Sequence, residues 1–147
     1  MMFSFKPLEK NEMDSIATWR YADGKSLYMR PYFLALKENK RLRGPGGCEG
    51  FAAYYKGHLA GLFEFTMKDK GLVIGLALRP NLVGKGLGVD FVLQGIHFGI
   101  EYYEYTDSAI YLDVAQNNKA AIAVYRRIGF YELGMNGKDI RMKLELF

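Results

Sequence analysis

The chain has 147 residues, of which 50% are hydrophobic, 24% charged and 15% aromatic. This length and balance predict one globular domain over residues 1–147 and argue against a disordered chain. Lysine and arginine exceed aspartate and glutamate by 20 to 16. The resulting net charge of +4 suits an anionic ligand but is too diffuse to predict nucleic-acid binding.

Targeting and metal signals are absent from the sequence. No apolar run approaches the roughly 20 residues that span a bilayer, and the first residues lack the charged-then-apolar order of a signal peptide. We therefore expect a cytoplasmic protein with no membrane partner. The single cysteine, Cys48, excludes an internal disulfide, and with only His58 and His97 beside it no metal site is expected.

The first half of the chain predicts strands and two short helices. Residues 3–7 resemble a strand, and Asn11 is positioned to cap a helix that runs to about Trp19. A second helix is predicted from Pro31, with a basic run at 37–43 behind it. Glycines and a proline at 44–47 then predict a loop. Two further segments, 51–55 and 58–66, flank Lys56-Gly57 as the strands of a hairpin.

The second half alternates strands and helices. The predicted segments are a central strand at 72–78, a long helix from Gly86 to Tyr103, a strand at 109–114, a helix at 118–128 capped by Gly129, and a strand pair at 131–133 and 139–146. Gly75 in the central strand indicates a bulge or a close approach of backbone or ligand. The order predicts a mixed α/β fold of three layers, with a mostly antiparallel central sheet and helices on both faces.

A glycine-rich turn joins the central strand to the long helix. Gly84, Gly86 and Gly88 alternate there with other residues, so side chains do not block the backbone amides. Amides at a helix start attract anions, and Lys85 adds a positive charge. The turn matches neither the dinucleotide fingerprint nor a P-loop. It predicts a pyrophosphate site, with a purely structural turn as the alternative.

A second motif, thirty residues on, narrows the interpretation. Together with the turn, the segment 118–130 resembles the GCN5-related N-acetyltransferase (GNAT) family. The family's helix pattern matches at Asn118, Ala121, Tyr125, Arg127, Gly129 and Phe130. Its cofactor loop falls on 83–88, where Gly86 and Gly88 match and Val83 departs from the usual glutamine or arginine. Together with the element order, the resemblance covers essentially the whole chain and implies the GNAT acyl-CoA N-acyltransferase fold.

The resemblance implies acetyl-CoA as the donor. In such proteins a bulged fourth strand separates from the fifth, and the pantetheine arm lies between them. The backbone positions that would pair with it are Leu76, Ala77 and Leu78, and the pyrophosphate would lie on the amides of Val83, Gly84, Lys85, Gly86, Leu87 and Gly88. Asn118 and Ala121 would lie beside the cofactor, with a plain helix cap as the alternative for Asn118. An amide near Leu78 would stabilise the oxyanion.

The implied reaction is direct attack of a primary amine on the thioester. Tyr125, a phenol with an ordinary pKa near 10, would protonate the leaving thiolate, with a packing role as the alternative. A lysine amine is neutral in only about one molecule in 2,500 at pH 7, so a general base would help. The two candidates are Asp113, twelve residues before Tyr125, and Glu64, on the strand that precedes the central strand at 72–78. A water chain could replace both.

The acceptor is left open by the sequence. Five aromatic residues fall where family members place the wall of the acceptor pocket, although they fit a core equally well: Trp19, Tyr21, Tyr28, Tyr32 and Phe33. The expected partners are acetyl-CoA and an amine, either a small molecule or a protein amine, with homodimer formation left open. The alternative function is an acyl-CoA-binding sensor without turnover.

Overall fold

The computed structural model describes residues 2–39, 43–68 and 71–147. Its elements are, in chain order, β1 (Phe3–Pro7), α1 (Lys10–Ile16), α2 (Arg30–Asn39), β2 (Glu49–Tyr55), β3 (His58–Lys68), β4 (Gly71–Leu78), α3 (Gly88–Tyr102), β5 (Ala109–Ala115), α4 (Lys119–Ile128), β6 (Tyr131–Asn136) and β7 (Asp139–Glu145). Single 3-10 turns cover Pro45–Gly47 and Pro80–Leu82. Part of the predicted basic run at 37–43 lies outside the described residues.

The seven strands form one sheet in the order β1-β2-β3-β4-β5-β7-β6. Every neighbouring pair is antiparallel except β4 and β5, which run parallel. Short turns join β2 to β3 and β6 to β7, whereas β1 and β2 are joined by the segment with α1 and α2, and the parallel pair needs α3 as its crossover. The predicted mixed, mostly antiparallel sheet is confirmed, with β4 at its centre.

Helices cover both faces of the sheet, as predicted. On one face α3 and α4 pack on the larger core, around Phe63, Phe91 and Ile110. On the other face α1 and α2 pack on a smaller core of Met13, Ile16 and Tyr32. A Cβ at Gly95 of α3 would overlap the Phe63 ring, and one at Gly99 the Phe65 ring. These two glycines therefore allow α3 to lie directly on β3.

Two helix starts differ from the prediction. Asn11 was expected to cap α1, but the helix begins at Lys10 and ends at Ile16, before Trp19. The Glu9 amide donates to Glu12 Oε1 at 3.0 Å, so glutamates rather than Asn11 satisfy the helix start. Helix α3 begins at Gly88 instead of Gly86, because Gly86 has φ +79°, which no helical residue adopts.

The predicted hairpin between β2 and β3 is confirmed. Lys56 and Gly57 have φ values of +52° and +79°, as a two-residue type I′ turn requires. The expected bulge in β4 is wrong, because β4 pairs with β3 in unbroken register from Gly71 to Leu78. The register shift in this part of the sheet lies in β2, between Ala53 and Tyr54.

Within the described residues, no helix is long and apolar enough to cross a membrane.

Candidate active site

The two central strands separate partway along their length. β4 and β5 pair at Leu72–Ile74 and Ile110–Leu112, and the pairing stops there. Beyond this point β4 pairs only with β3, as far as Leu78, while β5 pairs only with β7. The result is a gap in the sheet that opens from Gly75 toward the ends of both strands, and the glycine turn and the start of α4 follow at the open end.

The backbone groups that face this gap can be assigned from the pairing. The Arg79 amide donates to the Ala60 carbonyl of β3 at 2.7 Å. Since successive residues of a strand direct their backbone groups to opposite edges, Leu76 and Leu78 direct theirs into the gap, and Ala77 does not. The Leu78 carbonyl accepts a hydrogen bond of 2.6 Å from the Tyr21 hydroxyl. That contact ties the segment after α1 to the edge of the gap.

The glycine turn leaves its amides free at the start of α3. Gly84 and Gly86 have φ near +78° and open space where a Cβ would lie. The helix N-cap, Leu87, has no capping side chain, and the first hydrogen bond is donated by Phe91. Lys85 and the amides from Gly84 to residue 90 therefore lie at an exposed helix start, which favours an anion. The Val83 amide, also expected at the pyrophosphate, instead donates to the Pro80 carbonyl at 3.3 Å.

Gly88 has a different role from the other two glycines of the turn. A Cβ there would lie 3.2 Å from Val124 Cγ2. The first turn of α3 thus packs against α4, and the missing side chain allows this approach. Of the three glycines, Gly84 and Gly86 shape the turn, whereas Gly88 brings the two helices together.

Asn118 caps α4 at the open end of the gap. Its Oδ1 accepts a hydrogen bond from the Ala121 amide at 3.2 Å. The plain cap is therefore present, and it occupies the Asn118 side-chain oxygen. The side-chain nitrogen is left free to face a ligand, because a cap uses only the oxygen.

Tyr125 is buried between α4 and the sheet. Its ring packs on Phe130, with 5.7 Å between centroids, within the core on the α3 and α4 face. Only 8% of the residue is exposed, and burial raises the pKa of the phenol to about 12. At neutral pH the hydroxyl therefore keeps its proton, and its role as the acid for a leaving thiolate stays a prediction.

Glu64 lies on the opposite face, beside the closed end of the gap. It pairs directly with Gly75, the first residue of β4 beyond the last pair with β5. A Cβ on Gly75 would lie 3.2 Å from Glu64 Oε1. Desolvation raises the pKa of this carboxyl, and the Tyr32 hydroxyl, which donates to Oε2 at 2.6 Å, opposes the rise.

Asp113 faces the same side of the sheet but is already paired. Arg141 donates to both of its oxygens, at 2.6 and 2.8 Å, and Asn136 donates a third hydrogen bond. Burial acts to raise the pKa of Asp113, but the Arg141 hydrogen bonds and charge outweigh it and leave the pKa below its usual value. A carboxylate held in this way is a weak proton acceptor.

A family model supports the interpretation of these features. The model of the acetyltransferase (GNAT) family matches residues 12–130, which include both strands of the gap, the glycine turn and α4. The chain belongs to this family. No curated protein matched the chain by sequence.

Solved GNAT structures share the fold over nearly the whole chain. A spermidine N-acetyltransferase chimera from Vibrio cholerae superposes with a TM-score of 0.73 at 18% identity, covering 99% of this chain and 96% of that one. The N-acetyltransferase PseH from Campylobacter jejuni has the same TM-score at 19% identity, with 99% of each chain covered. PseH in complex with acetyl coenzyme A matches at 20% identity and a TM-score of 0.73, over 98% of this chain and 99% of that one. At these identities the likeness shows the fold, and it confirms the predicted GNAT architecture.

The aromatic residues expected around the acceptor divide into two groups. Trp19 and Tyr32 are buried in the smaller core, as the packing alternative predicted. Tyr28 is 65% exposed and Phe33 36% exposed, and Tyr21 is half-buried against the end of β4. In this GNAT chain the surface aromatics therefore lie on and before α2, over the face that carries Glu64.

Sequence reasoning missed three contacts of this site. It treated Tyr32 only as part of an aromatic cluster, Gly75 as a bulge or a point of close approach, and Cys48 only as evidence against an internal disulfide. The structure joins all three to Glu64: Tyr32 donates to it, Gly75 pairs with it, and the Cys48 thiol lies 3.5 Å from the Tyr32 hydroxyl. Counting the pairing outward from the β3–β4 turn would have found Gly75, whereas no sequence signal gives the contacts of Tyr32.

Proposed function

We propose that this GNAT chain is an acetyl-CoA-dependent N-acetyltransferase that passes the acetyl group directly to a primary amine. The observation that carries this proposal is the gap between β4 and β5, with an anion-attracting helix start at its open end and the half-buried carboxylate of Glu64 beside Gly75 at its closed end. A long donor with a charged head and a reactive tail suits a slot of this kind.

The donor fits the groups that face the gap. Leu76 and Leu78 would hold the pantetheine arm through backbone hydrogen bonds, and the amides from Gly84 to Gly88 would hold the pyrophosphate. Asn118 would contribute its side-chain nitrogen. When bound, acetyl-CoA supplies an activated acyl group whose leaving group is a thiolate. The Val83 departure matters little, because the amides that follow Val83 supply the contacts, while the Val83 amide itself donates to the Pro80 carbonyl.

Of the two carboxylates, Glu64 is the better general base. An amine must lose a proton to attack, and a base works best when its pKa lies near the working pH. Burial moves the pKa of Glu64 upward, toward that range, whereas Arg141 keeps the pKa of Asp113 low. We therefore assign proton removal to Glu64, directly or through one water, and a supporting role to Asp113.

The base and the acid approach the gap from opposite faces of the sheet. Glu64 belongs to the face that α1 and α2 cover, and Tyr125 to the face that α3 and α4 cover. In direct transfer the amine adds to the thioester carbon to give a tetrahedral oxyanion, which then expels the thiolate, so one proton leaves the nitrogen and another reaches the sulfur. This opposed arrangement suits those two proton transfers, with Glu64 accepting a proton from the amine and Tyr125 giving one to the sulfur.

The acceptor would bind at the gap, on the face of the sheet that α1 and α2 cover. Tyr28 and Phe33 are exposed there, and aromatic rings at such a site favour an apolar or cationic amine. A protein α-amine, a lysine, a polyamine and an aminoglycoside all satisfy this chemistry.

The test is an acceptor panel. Purified protein is mixed with acetyl-CoA and, in turn, with spermidine, an aminoglycoside, a lysine peptide and a peptide with a free N-terminus. We expect thiol release above the protein-free rate with at least one of them, and an acetylated amine in equal amount by mass spectrometry. Tight acetyl-CoA binding without transfer to any amine would favour the sensor function instead.

A further inference from the structure

Tyr32 is a fully buried residue of α2 whose ring lies in a slot of backbone. A Cβ on Gly44 would overlap the ring, and a Cβ on Gly50 of β2 would overlap the hydroxyl. Because neither residue has a side chain, the ring packs on backbone from both sides. Close packing of this kind holds the Tyr32 hydroxyl at one place.

The contacts of Tyr32 divide the two oxygens of Glu64. The hydroxyl donates to Oε2 at 2.6 Å, on the side of α2. The other oxygen, Oε1, faces Gly75, where the two central strands separate. One oxygen is thus occupied by a fixed donor, and the second faces the gap without a side chain between them.

The other titratable groups of this cluster stay neutral. Within the described part of the chain, the groups that act on the Glu64 carboxylate are the Tyr32 hydroxyl and the Cys48 thiol. Burial raises the pKa of Cys48 to about 11 and raises the pKa of Tyr32 as well. At neutral pH both keep their protons, so among these three side chains Glu64 alone exchanges one.

We propose that Tyr32 is the positioning residue for the Glu64 base, holding Oε2 so that Oε1 faces the attacking amine across Gly75. The inference rests on the proposed function of Glu64. In addition, the donated hydrogen bond favours the carboxylate over the acid, which keeps Glu64 ready to accept a proton. The slot between Gly44 and Gly50 fixes the hydroxyl that makes this contact.

Tyr32→Phe tests the proposal, because it keeps the ring and removes the hydroxyl. Tyr54→Phe is the matched control, since the Tyr54 hydroxyl donates to a different carboxylate, the buried one of Glu12, at 2.5 Å. The pKa of Glu64 is measured by carbon-13 NMR titration of glutamate-labelled protein, with Glu64→Gln to assign the signal. The pH profile of kcat/KM is then recorded with the best amine of the panel.

Loss of the hydrogen bond should raise the pKa of Glu64 by about one unit in Tyr32→Phe. The acidic limb of kcat/KM should move upward with it, so that activity falls about tenfold on that limb. Tyr54→Phe should leave the pKa of Glu64 and the acidic limb unchanged, even if it lowers the melting temperature as much as Tyr32→Phe does. If Tyr32 had only a structural role, Tyr32→Phe would lower the melting temperature without shifting the acidic limb of the kcat/KM profile.

The outcomes separate this inference from the proposed function. An unmoved Glu64 titration and an unmoved acidic limb in folded Tyr32→Phe would overturn the positioning role while leaving the base intact. Full activity of Glu64→Gln would remove the base itself, and the NMR shift in Tyr32→Phe would then report only a structural contact. If both assignments hold, Tyr32→Phe should add no further loss in a Glu64→Gln background.

Discussion

Glu64 and Gly75 are direct cross-strand partners, and a Cβ on Gly75 would lie 3.2 Å from Glu64 Oε1. This pair lies one residue beyond the last contact between β4 and β5. Glu64 Oε1 therefore lies beside the point where the two strands separate, and no side chain at Gly75 covers it. The strand itself is regular, and a glycine supplies the access that a bulge was expected to give.

Gly75→Ala should lower kcat/KM by about tenfold or more while the protein stays folded. The backbone φ of Gly75 is not in the left-handed region, so alanine fits the strand, but its methyl group presses on Oε1 and stands between Glu64 and the gap. Steady-state kinetics and a thermal melt measure the two effects. In a Glu64→Gln background Gly75→Ala should lower kcat/KM little further. An equal loss there would show that the effect of Gly75→Ala does not act through Glu64.

Gly86→Asp should weaken acetyl-CoA binding at least tenfold, and Gly86→Asn should weaken it much less. Both side chains tolerate a positive φ and meet open space, so the pair differs in charge alone. A negative charge at the start of α3 opposes the pyrophosphate. Calorimetry with acetyl-CoA gives both affinities.

Equal affinities for the two Gly86 variants would remove the anion site from this account. Gly88→Asp is a poorer probe of that site, because any side chain at Gly88 presses on Val124, whatever its charge. We expect Gly88→Asn and Gly88→Asp to lower the melting temperature alike.

Tyr125→Phe should lower kcat by about 10²–10⁴-fold and leave acetyl-CoA affinity nearly unchanged. The substitution keeps the ring contact with Phe130 and removes the proton donor. Single-turnover mixing with a surrogate amine measures the chemical step without interference from product release. A phenylalanine variant with the wild-type single-turnover rate would contradict the role, and water would then supply the proton.

The stabilities of Glu64→Gln and Asp113→Asn should respond to pH in opposite ways. Because the pKa of Glu64 is raised in the folded protein, its ionisation lowers the free energy of unfolding as pH rises above the unfolded pKa near 4.3. The stability of Glu64→Gln relative to wild type should therefore increase from pH 4 to pH 8. The lowered pKa of Asp113 means that its pair with Arg141 stabilises above about pH 4 and is lost on acidification.

For Asp113→Asn we therefore expect a loss of about 1–3 kcal/mol at pH 7, between the values for exposed and fully buried ion pairs, because both side chains are about one-quarter exposed. The loss should shrink toward pH 3. Denaturant unfolding at several pH values checks both signs. The same pH trend in both variants would contradict the assigned charge states.

The sequence predicted most of the fold because its signals are local. Alternating residues at 109–114, the apolar stripe of α3 and the Lys56-Gly57 turn each depend on neighbours in the chain, and all three were confirmed. The first helix was placed wrongly because two caps competed, and the Glu9 and Glu12 pair decided against Asn11. Such competition depends on side-chain geometry that spacing does not show.

The site could be predicted only where a motif marks it. The glycine turn and the Asn118 to Phe130 segment are contiguous, so a pattern reveals them. The cluster of Glu64 with Tyr32, Cys48 and Gly75 comes from four parts of the chain: β3, α2, the segment just before β2, and β4. Gly75 lies 11 positions after Glu64 in the sequence, and Tyr32 lies 32 positions before it. The choice between Glu64 and Asp113 likewise needed the structure, since only the fold shows that Arg141 engages one and Tyr32 the other.

Direct acetyl transfer at the gap with Glu64 as the base can be tested by single-turnover mixing of acetyl-CoA and an amine with the Glu64→Gln and Asp113→Asn variants. Both changes remove one carboxylate charge from the same face of the sheet. If Glu64 is the base, Glu64→Gln should slow the appearance of acetylated amine by about 10²–10⁴-fold at unchanged acetyl-CoA affinity, whereas Asp113→Asn should stay within a few-fold of wild type. A wild-type rate in Glu64→Gln, or the larger loss in Asp113→Asn, would contradict it.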